Sequence, residues 1–562
     1  MNSEDTQTTG KTFDSPEACT EVAAALVVLA GFLARLWAAS GTFLNPDEAL
    51  HFRLANQLSL GLAYQQSLTS AHPPLLILLL YFWRALGTSE LWLRLPSVIA
   101  GAVFCWVFYK WLTLATGRLT GLIGLLFVAL LPPLVLLSAE VRQYALLLAF
   151  LGSALYFLER AFAENSAPWM AASAAALYFG LLTHYSAFLF AAALGVYALC
   201  RVFTQGVRLS LRVTWVAGQL GLLALAGFLY KTHLSRLGRD ESRQVLQGWM
   251  SEFYLRRFYF ERGHDNPVMF LLERTFSVFQ HFFGQLAVGD VAGLAFLAGV
   301  VLLLREKAAG REAGSSRRLG LLLLVSFAIV GSASLLHVYP YGGTRQDALL
   351  IIPGVAGVSV TVAWLAAERW GRGLAIAGLV VLSCVAFGKS RQPYMDRADQ
   401  SRRQMAAAME FVQQNVAPSA AVLTDYQTDL ILGHYLCWQR PISFDPAPAG
   451  FEEFSCAGHR VISADYKTAW MFTAENFPAE WQRTAQAHAF KRGDTVWIFQ
   501  TGWRIDLPED LRKHFTEFHD LPYESFGNNI KIFKLTVGQP MPPAAQPVPV
   551  TSPASSAQAP AR

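Results

Sequence analysis

Residues 45–76 read NPDEALHFRLANQLSLGLAYQQSLTSAHPPLL, and they follow directly on the first long apolar run of the chain. This stretch puts two adjacent carboxylates, Asp47 and Glu48, where the chain leaves a predicted membrane span. Two histidines and a Pro-Pro pair follow before the apolar sequence resumes. The carboxylates could cap the helix predicted for DEALHFRLANQL, because negative charge favours a helix N-terminus. Alternatively, they could serve chemistry at the membrane surface.

The composition around this stretch is that of a polytopic membrane protein with a soluble part attached. Of the 562 residues, 53% are hydrophobic and only 15% are charged, whereas about a quarter of the residues in a soluble domain are charged. The net charge of +5 comes without a basic block, which argues against a nucleic-acid partner. Residues 1–20 are polar with Lys11 as their only base, unlike a signal peptide, so the first apolar run is expected to remain as an anchor.

Hydropathy predicts about eleven transmembrane helices, since each needs roughly 17 to 25 apolar residues to cross a bilayer. The run at 73–86 is shorter, begins with two prolines and carries Arg84, so we expect it to be interfacial or re-entrant. The predicted spans are 21–40, 91–114, 119–138, 143–162, 168–183, 185–203, 213–230, 287–304, 319–337, 348–366 and 372–389.

The positive-inside rule gives these spans an orientation. If 73–86 does not cross, the basic residues of three loops, the first of them at 201–212, fall on one face, which is then cytoplasmic. Residues 1–20 become a cytoplasmic polar tail and 41–90 become the first external loop. The long loop 231–286 is also external although its first part is rich in arginine, which we accept because long loops obey the rule poorly.

The C-terminal part of the sequence reads as a separate small domain. In 391–536, the apolar runs AAVLTDY, RVISADY, DTVWIFQTG and IKIFKLTV alternate with helical stretches, which predicts an extracytoplasmic α/β domain after a transmembrane module at 21–390. Cys437 and Cys456 share this exported part and could therefore pair. Residues 537–562 are rich in proline, alanine and serine and are expected to form a disordered tail.

The unusual polar residues gather on the predicted external face. Taken singly, each has a plain interpretation, because tyrosines and histidines populate membrane interfaces and arginines snorkel to headgroups. Together they suit a reaction between a lipid-borne phosphate ester and a nucleophile: arginine binds phosphate with a planar fork, and a carboxylate takes the proton of an incoming hydroxyl. The residues are Asp47, Glu48, His51 and His72 in the first loop, Glu140, Arg142 and Tyr144 in SAEVRQYALL, His184 and Tyr185 in LLTHYSAF, and His337, Tyr339, Tyr341, Arg345 and Asp347 in HVYPYGGTRQDALLIIPG.

Four motifs within residues 20–390 resemble those of a known class of enzyme. They are NPDEA, the following HPPL, RLPS at the start of the next span, and SAEVRQYALLLA. In this combination the chain resembles the GT-C glycosyltransferases, above all the dolichyl-phosphate-mannose protein mannosyltransferase type (glycosyltransferase family 39) and the related bacterial aminoarabinose lipid A transferase type. The resemblance implies a polytopic α-helical GT-C catalytic module and a polyprenyl-phosphate sugar donor used on the extracytoplasmic side of the membrane, here expected to be the bacterial inner membrane. The MIR domains of the mannosyltransferase branch have no counterpart in this sequence, so protein O-mannosylation is not implied.

The resemblance also implies roles for individual residues. The first-loop aspartate of the family is its catalytic carboxylate, which falls on Asp47, with Glu48 as its motif neighbour. The residue before the prolines is usually lysine in the aminoarabinose branch and lies near the lipid phosphate. Here it is His72, a departure that leaves its phosphate-binding role open. By position, Arg142 and Arg345 become phosphate ligands.

A divalent metal is the only cofactor for which the sequence offers ligands. Asp47, Glu48 and His51 could contribute to such a site, although they form no closed ligand set. The remaining members of the expected donor phosphate- and sugar-binding set are Tyr144, His184 and Tyr185.

These roles predict an inverting transfer of a hexosyl or pentosyl group to the hydroxyl of a lipid, a glycan or a protein. Asp47 would deprotonate that hydroxyl, and the arginines would neutralise the leaving polyprenyl phosphate. En bloc transfer of an oligosaccharide stays open, as do two other classes of protein. A secondary transporter would place ionisable groups near the middle of the bilayer and show an internal repeat, neither of which the sequence displays. A membrane-anchored binding or assembly protein would work without Asp47 and Arg142.

Overall fold

The chain divides into two compact units, and a short piece of the first loop belongs with the C-terminal one. The computed structural model describes residues 16–237, 255–305, 315–367, 400–418, 420–437, 450–503 and 505–538. The membrane unit comprises residues 1–42 and 50–396, and the C-terminal unit comprises residues 43–49 and 397–562. Hydropathy predicts a division after residue 390, with all of the first loop in the membrane module, because it does not register contacts between residues far apart in sequence.

The membrane unit is helical in its described residues. Its helices are α1 (Pro16–Ser40), α2 (Pro46–Ala55, which begins in the C-terminal unit), α3 (Leu60–Ser67), α4 (Leu75–Trp83), α5 (Glu90–Thr116), α6 (Arg118–Leu130), α7 (Pro132–Leu137), α8 (Tyr144–Glu164), α9 (Ala167–Thr183), α10 (Ala187–Thr204), α11 (Leu209–Leu229, continued by a π-helical turn), α12 (Pro267–Phe283), α13 (Leu286–Leu304), α14 (Ser315–Leu335) and α15 (Ile351–Ala367). Within the described ranges, 8 helices are long and apolar enough to cross a membrane. Each of them coincides with a predicted span, so the chain is an integral membrane protein.

Helix α6 ends inside the predicted span 119–138 because of the two prolines that open α7. These prolines lack the N–H groups that would bond to the carbonyl oxygens of Val128 and Ala129. The buried guanidinium of Arg35, on α1, donates to those two oxygens at 2.7 and 2.8 Å. One predicted span is therefore two short helices. An arginine from a neighbouring helix donates hydrogen bonds to the two carbonyl groups that have no N–H partner within α6.

Three further predicted segments need separate description. Helix α4 has 9 residues and is about 14 Å long, less than half of a hydrocarbon core of about 30 Å. This length agrees with the interpretation that 73–86 does not cross. Helix α9 has 17 residues and is one of the shorter apolar helices. The predicted span 372–389 lies outside the described residues.

The RLPS motif at the start of α5 ties two other elements together. Arg94 is buried, and its Nη1 donates to the carbonyl oxygens of Ala39 and Thr42, at 2.8 and 2.9 Å, where α1 ends. Ser97 donates from Oγ to the carbonyl oxygen of Arg142, at 3.0 Å. The motif therefore fixes the turn that precedes α8, in which several of the predicted site residues lie.

The C-terminal unit is built on a mixed β-sheet. Its described elements are α16 (Arg402–Asn415), β1 (Ala421–Thr424), α17 (Tyr426–Tyr435), β2 (Phe451–Cys456), β3 (His459–Ala464), α18 (Phe477–Ala487), β4 (Thr495–Thr501), α19 (Leu507–His514), β5 (Tyr523–Ser525) and β6 (Ile530–Thr536). The strand order is β2-β3-β1-β4-β6-β5, with β1 parallel to β3 and β4. The other pairs are antiparallel. The central strands are buried along most of their length, as parallel strands are, and the predicted α/β domain is confirmed.

Helix α17 is fixed at both ends. At its start, Asp425 accepts the Thr428 N–H at Oδ1 and the Phe472 N–H at Oδ2, each at 3.0 Å, while burial raises the pKa of this carboxyl to about 6. Just beyond its end, a disulfide joins Cys437 to Cys456 on β2, with the Cα atoms 4.9 Å apart. The sequence left the pairing of these two cysteines open, and the structure shows that they form a disulfide, which suits an exported domain.

Candidate active site

The NPDEA motif opens helix α2 with a reciprocal cap. The Oδ1 atom of Asn45 accepts the Glu48 N–H at 3.0 Å, and the Oε2 atom of Glu48 accepts the Asn45 N–H at 3.0 Å. This is a capping box, with the acidic residue three positions after the cap and Pro46 at the first helical position, where its missing N–H is harmless. Of the two interpretations of Glu48, the capping one is observed: its fully buried carboxylate holds the start of the helix.

Asp47 lies at the second position of the same helix and is half-buried. The capping box is formed by its neighbours, so the carboxylate of Asp47 is not needed for that pair of hydrogen bonds. It lies in the first helical turn, at the positive end of the helix dipole. A carboxylate with partial access to solvent is what a general base requires.

In the membrane unit, six predicted site residues come together from four separate stretches of sequence. The imidazole rings of His51 and His72 have centroids 6.0 Å apart, and those of His72 and His184 are 5.2 Å apart. The ring of Tyr144 follows at 5.5 Å from His184. The six residues, which we call the histidine–arginine cluster, are His51, His72, Arg142, Tyr144, His184 and Arg345.

Two arginines of this cluster lie beside one tyrosine ring. The Cζ atom of Arg142 is 5.6 Å from the centre of the Tyr144 ring, and that of Arg345 is 6.0 Å from it, both within reach of a cation–π interaction. Arg345 also has its Nη1 atom 3.9 Å from Oε2 of Glu140, a loose ion pair. Two positive charges thus share a small region near the N-terminus of α8.

The loop before α15 is shaped to present Arg345. Gly342 has a φ of 145°, a conformation that favours glycine, and its N–H donates to Oδ2 of Asp347 at 2.9 Å. Tyr339 donates its hydroxyl proton to the carbonyl oxygen of Gln346 at 2.8 Å. The predicted polar residues Tyr339 and Asp347 therefore hold this loop, and Arg345 reaches the cluster from it.

Two histidines of the cluster, His72 and His184, are neutral near pH 7. Burial first, and the charge of Arg142 second, lower the pKa of His184 to about 3. Its Nδ1 atom accepts the Ser186 N–H at 3.1 Å, so the single ring proton is on Nε2. Burial, followed by the effects of His184 and Arg142, also holds the pKa of His72 well below its usual range. At the position where the aminoarabinose branch usually has a charged lysine, this chain therefore has a neutral imidazole that can form hydrogen bonds.

His184 makes the stability of the protein depend on pH in a predictable direction. In the unfolded chain its imidazole titrates near pH 6.5, whereas in the folded protein it stays neutral until about pH 3. Below about pH 6.5 the unfolded state binds more protons, so stability falls as the pH falls. We expect the apparent Tm to drop less between about pH 7.5 and about pH 5 in His184→Asn, whose amide oxygen can still accept the Ser186 N–H, than in the wild type. Equal drops in the two proteins would contradict this assignment.

Tyr185 is placed beside the cluster and holds the loop that carries His72. The Nε2 atom of His233 is 2.8 Å from the carbonyl oxygen of Ser70, and a carbonyl only accepts, so this nitrogen carries the proton. The Nδ1 atom of His233 then accepts the hydroxyl proton of Tyr185 at 2.6 Å. These two hydrogen bonds connect the loop before α4 to the turn that continues α11. Nothing in the sequence indicated this role for His233.

Two further residues that carry no signal in the sequence neighbour the cluster: Gln143 lies between Arg142 and Tyr144 in the chain, and His281 is affected by the charge of Arg345. Gln143 is fully buried, and neither atom of its side-chain amide has a hydrogen-bond partner among the described residues; the same is true of the Tyr144 hydroxyl. A buried polar group without a partner costs about 1–3 kcal/mol, so a ligand that pairs with these atoms recovers that energy. His281, on α12, is the second: burial and the charge of Arg345 lower its pKa to about 4.

The part of the chain that the structure describes supplies no closed ligand set for the metal site suggested at Asp47, Glu48 and His51. Among the residues that the structure describes, no group of three or more histidine, cysteine, aspartate or glutamate side chains is arranged to hold a metal ion. The carboxylate of Glu48 is already used by the capping box.

Comparison with known proteins gives one family match and several similar folds. Residues 71–230 match the model of the family described as dolichyl-phosphate-mannose-protein mannosyltransferase, whereas no curated protein matches the chain. The crystal structure of ArnT from Cupriavidus metallidurans bound to undecaprenyl phosphate is similar at a TM-score of 0.51 and 12% identity, covering 94% of this chain and 100% of that one. The predicted resemblance and the GT-C fold are both confirmed.

Two other structures are less similar. The oligosaccharyltransferase of Archaeoglobus fulgidus has a TM-score of 0.47 at 11% identity, covering 87% of this chain and 69% of that one. The arabinofuranosyltransferase AftD from Mycobacteria also has a TM-score of 0.47, at 12% identity, covering 94% of this chain and 40% of that one. At these identities the similarity concerns the fold, and function has to be argued from the site.

Proposed function

We propose that this protein is a membrane glycosyltransferase that moves a sugar from a polyprenyl-phosphate donor to an acceptor hydroxyl. The observation that carries the proposal is the pair of arginines beside Tyr144, next to neutral histidines, in an integral membrane protein of GT-C fold. A phosphate that is attached to a lipid needs fixed positive charge close to the ends of membrane helices. The histidine–arginine cluster supplies it.

The donor phosphate is assigned to Arg142 and Arg345. Guanidinium groups bind phosphate oxygens with paired N–H donors, and two of them stabilise the negative charge that grows as the phosphate leaves. The ArnT structure contains undecaprenyl phosphate, and a lipid phosphate of that kind suits the arginine pair here. His184 has its proton on Nε2 and adds a neutral donor, while the buried amide of Gln143 suits a sugar or phosphate oxygen.

The acceptor is activated by Asp47. Its carboxylate takes the proton from the acceptor hydroxyl, whose oxygen forms a bond to the anomeric carbon. The bond between that carbon and the phosphate oxygen breaks, and its electron pair stays on the leaving polyprenyl phosphate. One displacement of this kind inverts the anomeric configuration. We place the reaction on the extracytoplasmic face of the bacterial inner membrane, since the C-terminal unit carries a disulfide.

The test is release of free polyprenyl phosphate by purified protein in lipid nanodiscs. A panel of polyprenyl-phosphate hexoses and pentoses is supplied as donors, and a membrane extract as the source of the acceptor. We expect release from one donor, dependent on the extract, with inverted configuration in the product. Silence with every donor in the presence of the extract would overturn the proposal in favour of a membrane-anchored binding protein.

A further inference from the structure

The start of helix α2 is held inside the C-terminal unit through the residues that precede it. The N–H of Leu44 donates to the hydroxyl of Tyr435 at 2.8 Å. The N–H of Phe43 donates to the carbonyl oxygen of Gln400 at 2.9 Å, and the side-chain amide of Gln400 donates back to the carbonyl oxygen of Phe43 at 3.4 Å. The rings of Phe43 and Tyr435 also meet edge to face, with centroids 6.5 Å apart.

Tyr435 is a rigid support for this contact. It is the last residue of α17, whose start is capped by Asp425 and whose end is followed by the disulfide at Cys437. The helix is also fastened to the end of β4, since the hydroxyl of Thr428 donates to the carbonyl oxygen of Thr501 and accepts its N–H, each at 3.0 Å. The Tyr435 hydroxyl, which accepts the hydrogen bond from the Leu44 N–H, is therefore held in place by the sheet of the C-terminal unit.

A second contact holds the first helical residue. Gly502 follows β4 with a φ of 128°, and a Cβ atom at this position would lie 3.1 Å from Cγ of Pro46 and 2.6 Å from Oε1 of Gln427. The side-chain amide of Gln427 in turn pairs with both backbone groups of Trp503, at 3.1 and 3.0 Å. Glycine thus permits the close approach of Pro46 to a loop that is itself fixed.

The segment supported in this way carries the proposed base. Asp47 is three residues beyond Leu44, and the capping box of Asn45 and Glu48 makes the intervening backbone stiff. We infer that Tyr435 is a positioning residue: through the Leu44 N–H, it sets where the carboxylate of Asp47 stands. The inference rests on the proposed function, because it takes Asp47 as the general base. A displacement of about 1 Å in such a group can cost on the order of 100-fold in rate.

The experiment compares Tyr435→Phe with Tyr523→Phe in the full chain in nanodiscs. The first variant removes only the hydroxyl that accepts the Leu44 N–H and keeps the ring against Phe43. Tyr523, on β5 of the same unit, packs its ring against Arg512 and Lys531, so its variant is a matched loss of one hydroxyl away from 43–49. Two quantities are measured: deuterium uptake by peptides that cover 43–49, and kcat and donor KM for polyprenyl-phosphate release.

We expect Tyr435→Phe to speed the exchange of the 43–49 amides by roughly fivefold, the worth of one hydrogen bond. Its kcat should fall by at least about fivefold at an unchanged donor KM, and Tyr523→Phe should change neither quantity. If the 43–49 amides exchanged equally fast in both variants, the hydrogen bond between Leu44 and Tyr435 would be overturned. If they exchanged faster in Tyr435→Phe but its kcat stayed normal, the positioning role of Tyr435 would be overturned. A wild type that turns over no donor would overturn the proposed function itself, and the role with it, whereas the exchange result still reports on the contact alone.

Discussion

Asp47→Asn is expected to reduce turnover of the polyprenyl-phosphate donor by about 10²- to 10⁴-fold, the usual worth of a positioned general base. Asparagine has the volume of aspartate and is compatible with a helix N-terminus, but its amide cannot take the proton of the acceptor hydroxyl. The capping bonds at this helix belong to Asn45 and Glu48, so the start of the helix should survive the change. Release of polyprenyl phosphate, measured at saturating donor, gives the loss in kcat.

The matched control is the same loss of charge one residue later. Glutamine is accepted at the third position of a capping box, so Glu48→Gln should affect the apparent Tm more than the turnover of the folded protein. If Asp47→Asn kept normal turnover, Asp47 would be a helix-stabilising residue and the base would have to be sought elsewhere. Equal losses in both variants would point to the helix start as a whole.

Hydropathy was sufficient to predict most of the membrane unit, because the energy of crossing a bilayer depends on composition over a long window. The break after α6 was missed for the same reason. The window 119–138 is apolar throughout, and only the missing N–H groups of its prolines, together with Arg35 on another helix, reveal two short helices.

In the C-terminal unit, the buried apolar strands were predicted. Strand β2, FEEFSC, was missed because its two acidic residues break the apolar run.

The site could be predicted where charge alone made a residue unusual. Arg142 and Arg345 are basic residues in two short loops that the sequence predicts to be external, and the structure places both beside Tyr144. Gln143 and His281 carried no such signal, because an amide just before a helix, or a histidine within one, is ordinary until its neighbours are known. The contact of Tyr435 with Leu44 joins residues 391 positions apart, which no local pattern registers.

The second large effect is expected at the arginine pair. Replacing either Arg142 or Arg345 with glutamine should lower kcat/KM for the donor by roughly 100-fold or more, since each removes a charge-assisted donor from the leaving phosphate. The loss should fall mainly on kcat, because the negative charge on the phosphate increases as its bond to the sugar breaks. Lysine at either position should restore only part of the activity, because an ammonium group lacks the planar fork of a guanidinium.

Arg160→Gln is the appropriate control for these variants. Arg160 lies near the end of α8 that is far from the cluster, half-exposed and paired with Glu164. Its loss removes a positive charge from the membrane unit without touching the cluster, so activity should be unchanged. Binding of undecaprenyl phosphate, the lipid product expected of such a donor, provides a readout that does not need the acceptor. It should weaken in both cluster variants and stay normal in Arg160→Gln. If all three variants bound it equally, the phosphate would not lie between Arg142 and Arg345, and the orientation proposed for the donor would be wrong even if the protein transferred sugar.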